Sequence, residues 1–221
     1  MKEEHTKEDV KELILKTALK EFTKHGIKEV KMDDIASILS ISKRTIYEIF
    51  NDKEQLLFEA LKFHNENILN EGKQIVRNAS HTLEIILGLY DKYVEILSKI
   101  NKKFFTDLKK YPDLYNSKRH DEAQNDKKFV AWIEMGRKEG LFRKDANLEI
   151  FSYTLRQNLE IIFTTNMETS GNRLSKYSPA ELGRTLIIFY LRGISTTKGQ
   201  EIIETYLKKN NEINTSNNYE S

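Results

Sequence analysis

The sequence predicts an all-helical protein. Its 221 residues include only two Pro and nine Gly, and few runs alternate polar and β-branched residues as strands do. Apolar side chains instead recur every three or four residues along most of the chain, which is the spacing of one helix face. Hydrophobic residues make up 38% and charged residues 32% of the sequence. This composition favours helices that pack around an apolar core beneath a highly charged surface.

Two short helical patterns flank a tight turn between residues 32 and 50. Their apolar residues, at helical spacing, are Ile35, Ala36, Leu39, Ile46, Ile49 and Phe50. Ser42 is a good N-cap for the second helix, which begins with the basic residues Lys43 and Arg44. A helix start favours anions, so a DNA phosphate would suit this position, whereas a solvated charged turn is the alternative. The pattern is that of a helix-turn-helix, whose second helix enters the major groove.

The residues of this motif stand at fixed offsets over roughly the first quarter of the chain. They are Ala18, Phe22, Gly26, Asp34-Ile35-Ala36, Ile41-Ser42-Lys43, Thr45-Ile46-Tyr47, Phe50, Lys53-Glu54 and Leu56-Leu57. The set resembles the N-terminal signature of TetR/AcrR-type transcriptional regulators. The family usually has Ala-Gly in the turn, where this chain has Leu39-Ser40. Basic residues are common in the family where this chain has Asp33 and Glu48.

The resemblance implies a three-helix DNA-binding head, a long connecting helix and a helical domain for effector binding and dimerisation. We place the head at residues 1–52, the helical domain at 53–209 and a disordered, Asn/Ser/Glu-rich tail at 210–221. The first helix begins at a capping box on Thr6 and ends at Gly26. The connecting helix runs to about Arg77. Later helices are predicted over 80–100, 117–139, 148–167 and 201–208, with another that starts at Ser178-Pro179.

Three groups of site residues follow from the resemblance. The expected DNA contacts are Lys31, Ser42, Lys43, Arg44, Thr45, Tyr47 and Lys53. The residues expected to line an effector pocket are Phe63, His64, Tyr90, Phe104, Phe105, Phe129 and Trp132. Helices 148–167 and 178 onward are apolar on more than one face, which a dimer interface or a fully buried helix would explain. The expected interface residues are Phe151, Leu155, Leu159, Ile162, Leu186, Phe189 and Tyr190.

The expected effector is apolar or aromatic, because the predicted pocket has no Arg or Lys cluster, although Arg156 or Lys103 could approach it. The same aromatic residues would also suit a closed core. The expected partners are therefore a palindromic double-stranded DNA operator, this effector and a second copy of the chain. The expected function is that of a regulator, usually a repressor in this family, which its effector releases from DNA.

Composition limits which other classes of protein the chain could belong to. The net charge of +2 excludes a uniformly basic coat, so DNA contact needs a local patch. With no Cys and five scattered His, we expect no metal, and no cofactor is predicted. The charged N-terminus and the lack of a long apolar run favour the cytoplasm and no membrane partner. The alternative is a helical enzyme or small-molecule-binding protein whose helix-turn-helix is only structural, but no catalytic motif supports an enzyme.

Overall fold

The computed structural model describes residues 6–164 and 173–217, and this part of the chain is all-α, as predicted. Its helices are α1 Lys7–His25, α2 Met32–Ile38, α3 Lys43–Ile49, α4 Lys53–Asn78, α5 Thr82–Ser98, α6 Lys102–Leu108, α7 Pro112–Lys138, α8 Leu148–Thr164, α9 Pro179–Ile194 and α10 Thr197–Asn217. The chain forms two compact units. The head unit comprises the residues up to Lys73 together with Lys99–Arg119, and the body unit comprises Gln74–Ser98 and the residues from His120 onward.

The head unit is built on α1, α2 and α3, with the first part of α4. Thr6 caps α1 through the predicted capping box with Asp9, and Gly26 ends this helix with a φ of 94°. The fully buried side chains of these helices and of the connections between them form the apolar core of the head unit. They include Ile14, Ala18, Phe22, Ile27, Ile35, Ile46, Phe50, Leu56, Leu57 and Ala60. The apolar faces that the sequence predicts for the helix-turn-helix therefore point into this core.

Helix α6 belongs to the head unit, although it follows α5 in the chain, and it packs against α1. Asn101 caps α6, and its side-chain amide donates to the Lys24 carbonyl at the end of α1 (3.1 Å). The buried carboxylate of Asp107 accepts a hydrogen bond from the Lys28 amide (2.8 Å) and one from Lys110 Nζ (3.0 Å). These polar contacts tie both ends of α6 to the end of α1 and the loop that follows it.

The body unit has an apolar core between α5, α8, α9 and α10, with the second half of α7. Helix α9 packs against α5 and α8, and α10 packs against α5 and α9. The core side chains include Leu83, Ile86, Val94, Phe129, Ile133, Leu155, Leu159, Ile187, Leu191 and Ile203. Asp91 on α5 links three helices, because it accepts hydrogen bonds from Arg184 on α9 and Tyr206 on α10.

Several boundaries differ from those predicted. Pro112 begins α7 five residues before the predicted start at Ser117, since proline fits the first turn of a helix. Helix α10 begins at Thr197 and continues through Asn217, into the range predicted to be a disordered tail. The compact units divide the chain after Lys73 rather than at residue 52. Residues 165–167 of the predicted eighth helix and residues 218–221 of the predicted tail lie outside the described residues.

Candidate DNA-binding site

The α2–turn–α3 segment forms the helix-turn-helix that the sequence predicts. The Ile41 amide closes the turn by donating to the Ala36 carbonyl (3.0 Å). Ser42 caps α3, and its hydroxyl accepts a hydrogen bond from the Thr45 amide (3.0 Å). Ile46 is fully buried, so one face of α3 is fixed on the core of the head unit. The opposite face of this short helix is left to solvent.

The exposed face of α3 carries the side chains predicted to contact DNA. Arg44 is 87% exposed and Tyr47 is 49% exposed. Arg44 Nε donates to the Glu48 carboxylate one turn further along (2.6 Å). Arg44, Tyr47 and Glu48 lie at spacings of three and four residues, so they share one face of the helix. A basic group, a phenolic hydroxyl and a carboxylate are therefore presented together.

Lys43 at the start of α3 is paired with Asp33 of α2 by a short hydrogen bond between the ammonium and the carboxylate. This bond raises the pKa of Lys43, and the charge of Asp33 adds to the effect. Family resemblance alone did not indicate the two carboxylates Asp33 and Glu48 as partners of the basic residues. The spacing of Arg44 and Glu48, four residues apart on one helix, was the available signal for one of these pairs.

The remaining predicted DNA contacts differ in their surroundings. Lys31 is exposed at the N-cap of α2, and its amide donates to the Asp34 carboxylate (2.8 Å). Thr45 is half-buried, with its hydroxyl 2.8 Å from that of Ser42. The Lys53 ammonium lies 3.4 Å from the Lys28 carbonyl oxygen, and burial lowers its pKa. Lys53 is thus occupied within the head unit, whereas Lys31 is open to solvent.

A protein-family model identifies this head. The model for bacterial regulatory proteins of the tetR family matches residues 14–60, from α1 to the first turns of α4. The head of the chain therefore matches the TetR family. Members of this family are transcriptional regulators with a DNA-binding helix-turn-helix, and the segment that carries the match is the one whose exposed face is described above.

Sequence relatives and solved structures extend the similarity beyond the head of this chain. The HTH-type transcriptional repressor KstR2 of Mycolicibacterium smegmatis is 22% identical over 193 residues, which cover 85% of this chain and 92% of that protein. The ketosteroid transcriptional regulator KstR2 of Mycobacterium tuberculosis has a similar structure, with a TM-score of 0.60 and 20% identity over 85% of this chain and 95% of that one. A regulator from Saccharomonospora viridis, solved in complex with choline, has a TM-score of 0.63 and 22% identity over 86% and 99% of the two chains.

The residues predicted to line an effector pocket fall into both units. Phe104 and Phe105 are buried neighbours on α6, with ring centroids 5.7 Å apart, and Phe63 and His64 on α4 are half-buried in the same unit. Phe63 also borders a groove of about 560 Å³ between α1 and α4, which has a charged rim.

The other three predicted pocket residues are in the body unit. The Tyr90 ring lies edge-on to Phe129 at 5.3 Å, and Trp132 packs against the same core. Phe129 stacks on Phe151 at 5.8 Å, and Phe151 contacts Tyr190. Tyr90 and Phe129, which were predicted to line the pocket, thus pack in one aromatic cluster with Phe151 and Tyr190, which were predicted to form a dimer interface.

The predicted dimer residues require a correction. Phe151, Leu155, Leu159 and Ile162 are buried in the core of the body unit of a single chain, so they are not available to a second copy. The opposite face of α8 exposes Ile150, Tyr153 and Ile161. On α9, Phe189 is 65% exposed, and Leu186 and Tyr190 are half-buried. Apolar residues cover two faces of α8, and the sequence pattern did not indicate which face is internal.

Two further properties concern only the described residues 6–164 and 173–217. No helix there combines the length and apolar character needed to span a membrane. Among the side chains that the structure describes, no group of three or more His, Asp or Glu residues is arranged to bind a metal ion.

Proposed function

We propose that this chain is a TetR-family transcriptional regulator, a repressor that binds a palindromic operator as a homodimer and leaves it when a small molecule binds. The observation that carries the proposal is the exposed face of α3, with Arg44 and Tyr47 open to solvent on a helix fixed by buried Ile46. In a helix-turn-helix this helix reads base edges in the major groove. The relative from M. smegmatis is itself named a transcriptional repressor.

In this proposal Arg44 contacts a base or a nearby phosphate, and the Tyr47 hydroxyl donates to a phosphate. Lys31, open to solvent at the start of α2, supplies a further phosphate contact. Lys43 contacts DNA only after it leaves Asp33, and Lys53 only after it leaves the Lys28 carbonyl. Phosphate contacts of this kind position a protein on DNA, whereas contacts to base edges provide sequence preference.

The dimer in this proposal is formed by α8 and α9, through the face that the protomer leaves uncovered. Ile150, Tyr153 and Ile161 share one exposed face of α8, and Phe189 is exposed on the adjoining helix. Large apolar side chains grouped on a surface are typical of protein–protein interfaces. A two-fold axis through this face would present two copies of α3 to half-sites about 34–36 Å apart.

The proposed effector is an apolar or aromatic molecule that binds near the rings of the body unit. Tyr90, Phe129 and Trp132 supply aromatic surface there. The Ser152 hydroxyl is buried and has no hydrogen-bond partner among the described residues, so it could bind a polar group of a ligand. One structural neighbour is named a ketosteroid regulator and another was solved with choline. Aromatic rings suit both a fused apolar ring system and a quaternary ammonium.

Binding of the effector would weaken binding to DNA by population shift. If the effector prefers a conformation in which the two heads misfit successive major grooves, it favours release of the operator. The coupling is reciprocal, so the operator weakens effector binding by the same factor. This mechanism needs no catalytic step, and the proposal gives the chain none.

The experiment is a titration of labelled DNA from upstream of the protein's own gene, followed by fluorescence anisotropy. Tyr47→Phe removes one hydrogen bond and should cost about 1 kcal/mol, or roughly a fivefold rise in Kd. Arg44→Ala should weaken binding further, by about 1–3 kcal/mol if it contacts a base. Tyr177→Phe, at an exposed tyrosine of the body unit, is the matched control and should leave Kd unchanged.

Circular dichroism establishes that each variant keeps its helix content. If Arg44→Ala and Tyr47→Phe both bind DNA like the unaltered protein, α3 does not form the interface.

The same titration is then repeated with a sterol-like compound and with choline. An effector should raise the Kd for DNA and shift Trp132 fluorescence, and Trp132→Ala should reduce its affinity. A response only to multiply charged metabolites would contradict the proposed apolar site.

A further inference from the structure

Arg44 and Glu48 form an ion pair on the face of α3 that the head unit leaves uncovered. The Nε–Oε1 distance is 2.6 Å, and the side chains are 87% and 58% exposed. The buried residue Ile46 lies on the other side of the helix. The carboxylate therefore stands on the surface that would approach DNA, one helical turn from the guanidinium. The neighbouring basic residue, Lys43, is likewise paired with a carboxylate, that of Asp33.

The Arg44–Glu48 ion pair disfavours complexes in which the protein contacts only the phosphates of DNA. Arg44 can contact a phosphate by leaving Glu48 or through its terminal N–H groups while Nε stays paired, and in either case the Glu48 carboxylate lies beside the polyanionic backbone. The carboxylate and the phosphates repel each other as like charges, and phosphate oxygens, which only accept hydrogen bonds, donate none to Glu48. Non-specific DNA, which is bound almost entirely through phosphates, therefore gains little from Arg44.

Base edges in the major groove offer Glu48 what phosphates do not. The N4 amino group of cytosine is a donor, and it is the base group that Glu and Asp side chains accept hydrogen bonds from. Guanine presents two acceptors to an arginine. Residues four apart on a helix are separated by about 6 Å along its axis, within roughly two base-pair steps. Both side chains can thus be satisfied at one site that offers guanine and cytosine close together.

We propose that Glu48 is a specificity-determining residue of the DNA site. It pairs with Arg44 in the free protein, penalises contacts made only to phosphates, and accepts a hydrogen bond from a cytosine amino group in the operator. The inference rests on the proposed binding of DNA by α3 and deepens it, because it assigns a base preference to a residue on that helix.

The test compares the full-length protein with Glu48→Gln, first by selection from a random DNA library and then by anisotropy titration. The unaltered protein should enrich a motif with a fixed C·G pair in each half-site. Changing that pair to T·A should weaken its binding about fivefold or more. Glu48→Gln should lose this preference, with less than about a twofold difference between the two sites. Its affinity for unrelated DNA at low salt should rise about two- to fivefold, as expected when a surface ion pair is released.

Glu12→Gln is the matched control. Glu12 and Lys16 form an exposed ion pair four residues apart on α1, with side chains 51% and 58% exposed. This variant changes the net charge equally and frees one cation, but away from the helix-turn-helix. It should keep both the selected motif and the affinity for unrelated DNA. If it gains the same affinity as Glu48→Gln, the effect is one of net charge and the proposal fails.

Two other results would overturn the proposal. A motif without a fixed cytosine would do so, as would a Glu48→Gln protein that selects the same motif as the unaltered protein with the same discrimination. If the proposed binding of DNA by α3 is itself wrong, the unaltered protein will enrich no motif at all, which is a different result from either of these. Melting curves of both variants establish that each is folded before the selection is interpreted.

Discussion

Ser40 holds a backbone conformation that is unusual for a residue with a side chain. It lies in the turn between α2 and α3 with a φ of 54°, in the left-handed region. A Cβ there costs roughly 1–2 kcal/mol relative to the right-handed helix, and glycine avoids this cost. The departure from Ala-Gly to Leu39-Ser40 therefore falls on a position that favours glycine. The Ser40 amide donates to the Ser37 carbonyl (3.1 Å), so backbone hydrogen bonding maintains the turn.

Ser40→Gly should stabilise the protein, because it removes the Cβ clash at the cost of some added freedom in the unfolded chain. We expect the free energy of unfolding to rise by about 0.5–1 kcal/mol, measured by urea denaturation. Ser37→Gly is the control: it places glycine within α2 and should lower the same free energy by a similar amount. Destabilisation by Ser40→Gly would contradict the left-handed turn.

At the scale of elements, the contact between α6 and the loop after α1 depends on the charge of Asp107. Burial alone would raise the pKa of its carboxyl group. Hydrogen bonds from the Lys28 amide and the Lys110 ammonium outweigh this effect and hold the pKa below its usual value. Asp107 therefore binds a proton less readily in the folded protein than in the unfolded chain. Its stabilising contribution is present above the unfolded pKa, near about 4, and is lost as the pH falls through the folded pKa.

Asp107→Asn should accordingly destabilise the protein in a manner that depends on pH. At pH 7 we expect a loss of about 1–3 kcal/mol in the free energy of unfolding, since a charged hydrogen-bond acceptor is replaced by a neutral one. The difference from the unaltered protein should shrink below about pH 4. Denaturant titrations between pH 2 and 7 measure it. Asp113→Asn, at an exposed position in the first turn of α7, should show no comparable trend.

The sequence predicted the elements whose signals are local. Ser42 is three residues from the amide that it caps, and the apolar face of α3 lies within one helix. The Asp107–Lys28 hydrogen bond joins positions 79 residues apart, and no pattern within one segment indicates such a partner. The helix predicted to begin at residue 117 begins at Pro112, because proline is compatible with the first turn of a helix as well as with the end of the preceding one. Where a residue is compatible with two local structures, the packing around it determines which one forms.

The error in the dimer residues has a similar origin. Helical spacing identifies which residues of α8 share a face, but both faces of this helix are apolar. Leu155 and Leu159 face the core, whereas Ile150 and Ile161 face outward. The interior face of α8 is determined by the helices that pack against it, which include α9 and, through the stacking of Phe129 on Phe151, α7. The exposed face of α3 was easier to predict, because one face of this helix is clearly polar.

At the scale of the whole molecule, the exposed apolar face of α8 and α9 predicts a dimer that one charge should dissociate. Phe189→Glu would place a carboxylate in the proposed interface, where an unpaired buried charge costs several kcal/mol. Sedimentation velocity at micromolar concentration should show dimers of the unaltered protein and monomers of the variant. Met135→Glu, at an exposed apolar residue of α7, should remain dimeric.

A variant at the buried face separates dissociation from unfolding. Leu159→Glu puts the charge inside the protomer, so it should lose helix content and aggregate, whereas Phe189→Glu should keep its circular dichroism spectrum. An unaltered protein that stays monomeric at micromolar concentration would contradict the proposed interface. A Phe189→Glu protein that stays dimeric would assign the interface to another surface.

The head unit consists of two separate stretches of chain, because α6 belongs to it although α5, which precedes α6 in the sequence, belongs to the body unit. This arrangement limits how such regulators can be recombined. A chimera made by cutting α4 after Lys73 would combine one protein's α1 with another's α6. The Asn101 and Asp107 contacts to the end of α1 and the loop after it would then join mismatched parents. Exchange of DNA specificity between relatives therefore requires transfer of both stretches, or of α2 and α3 alone.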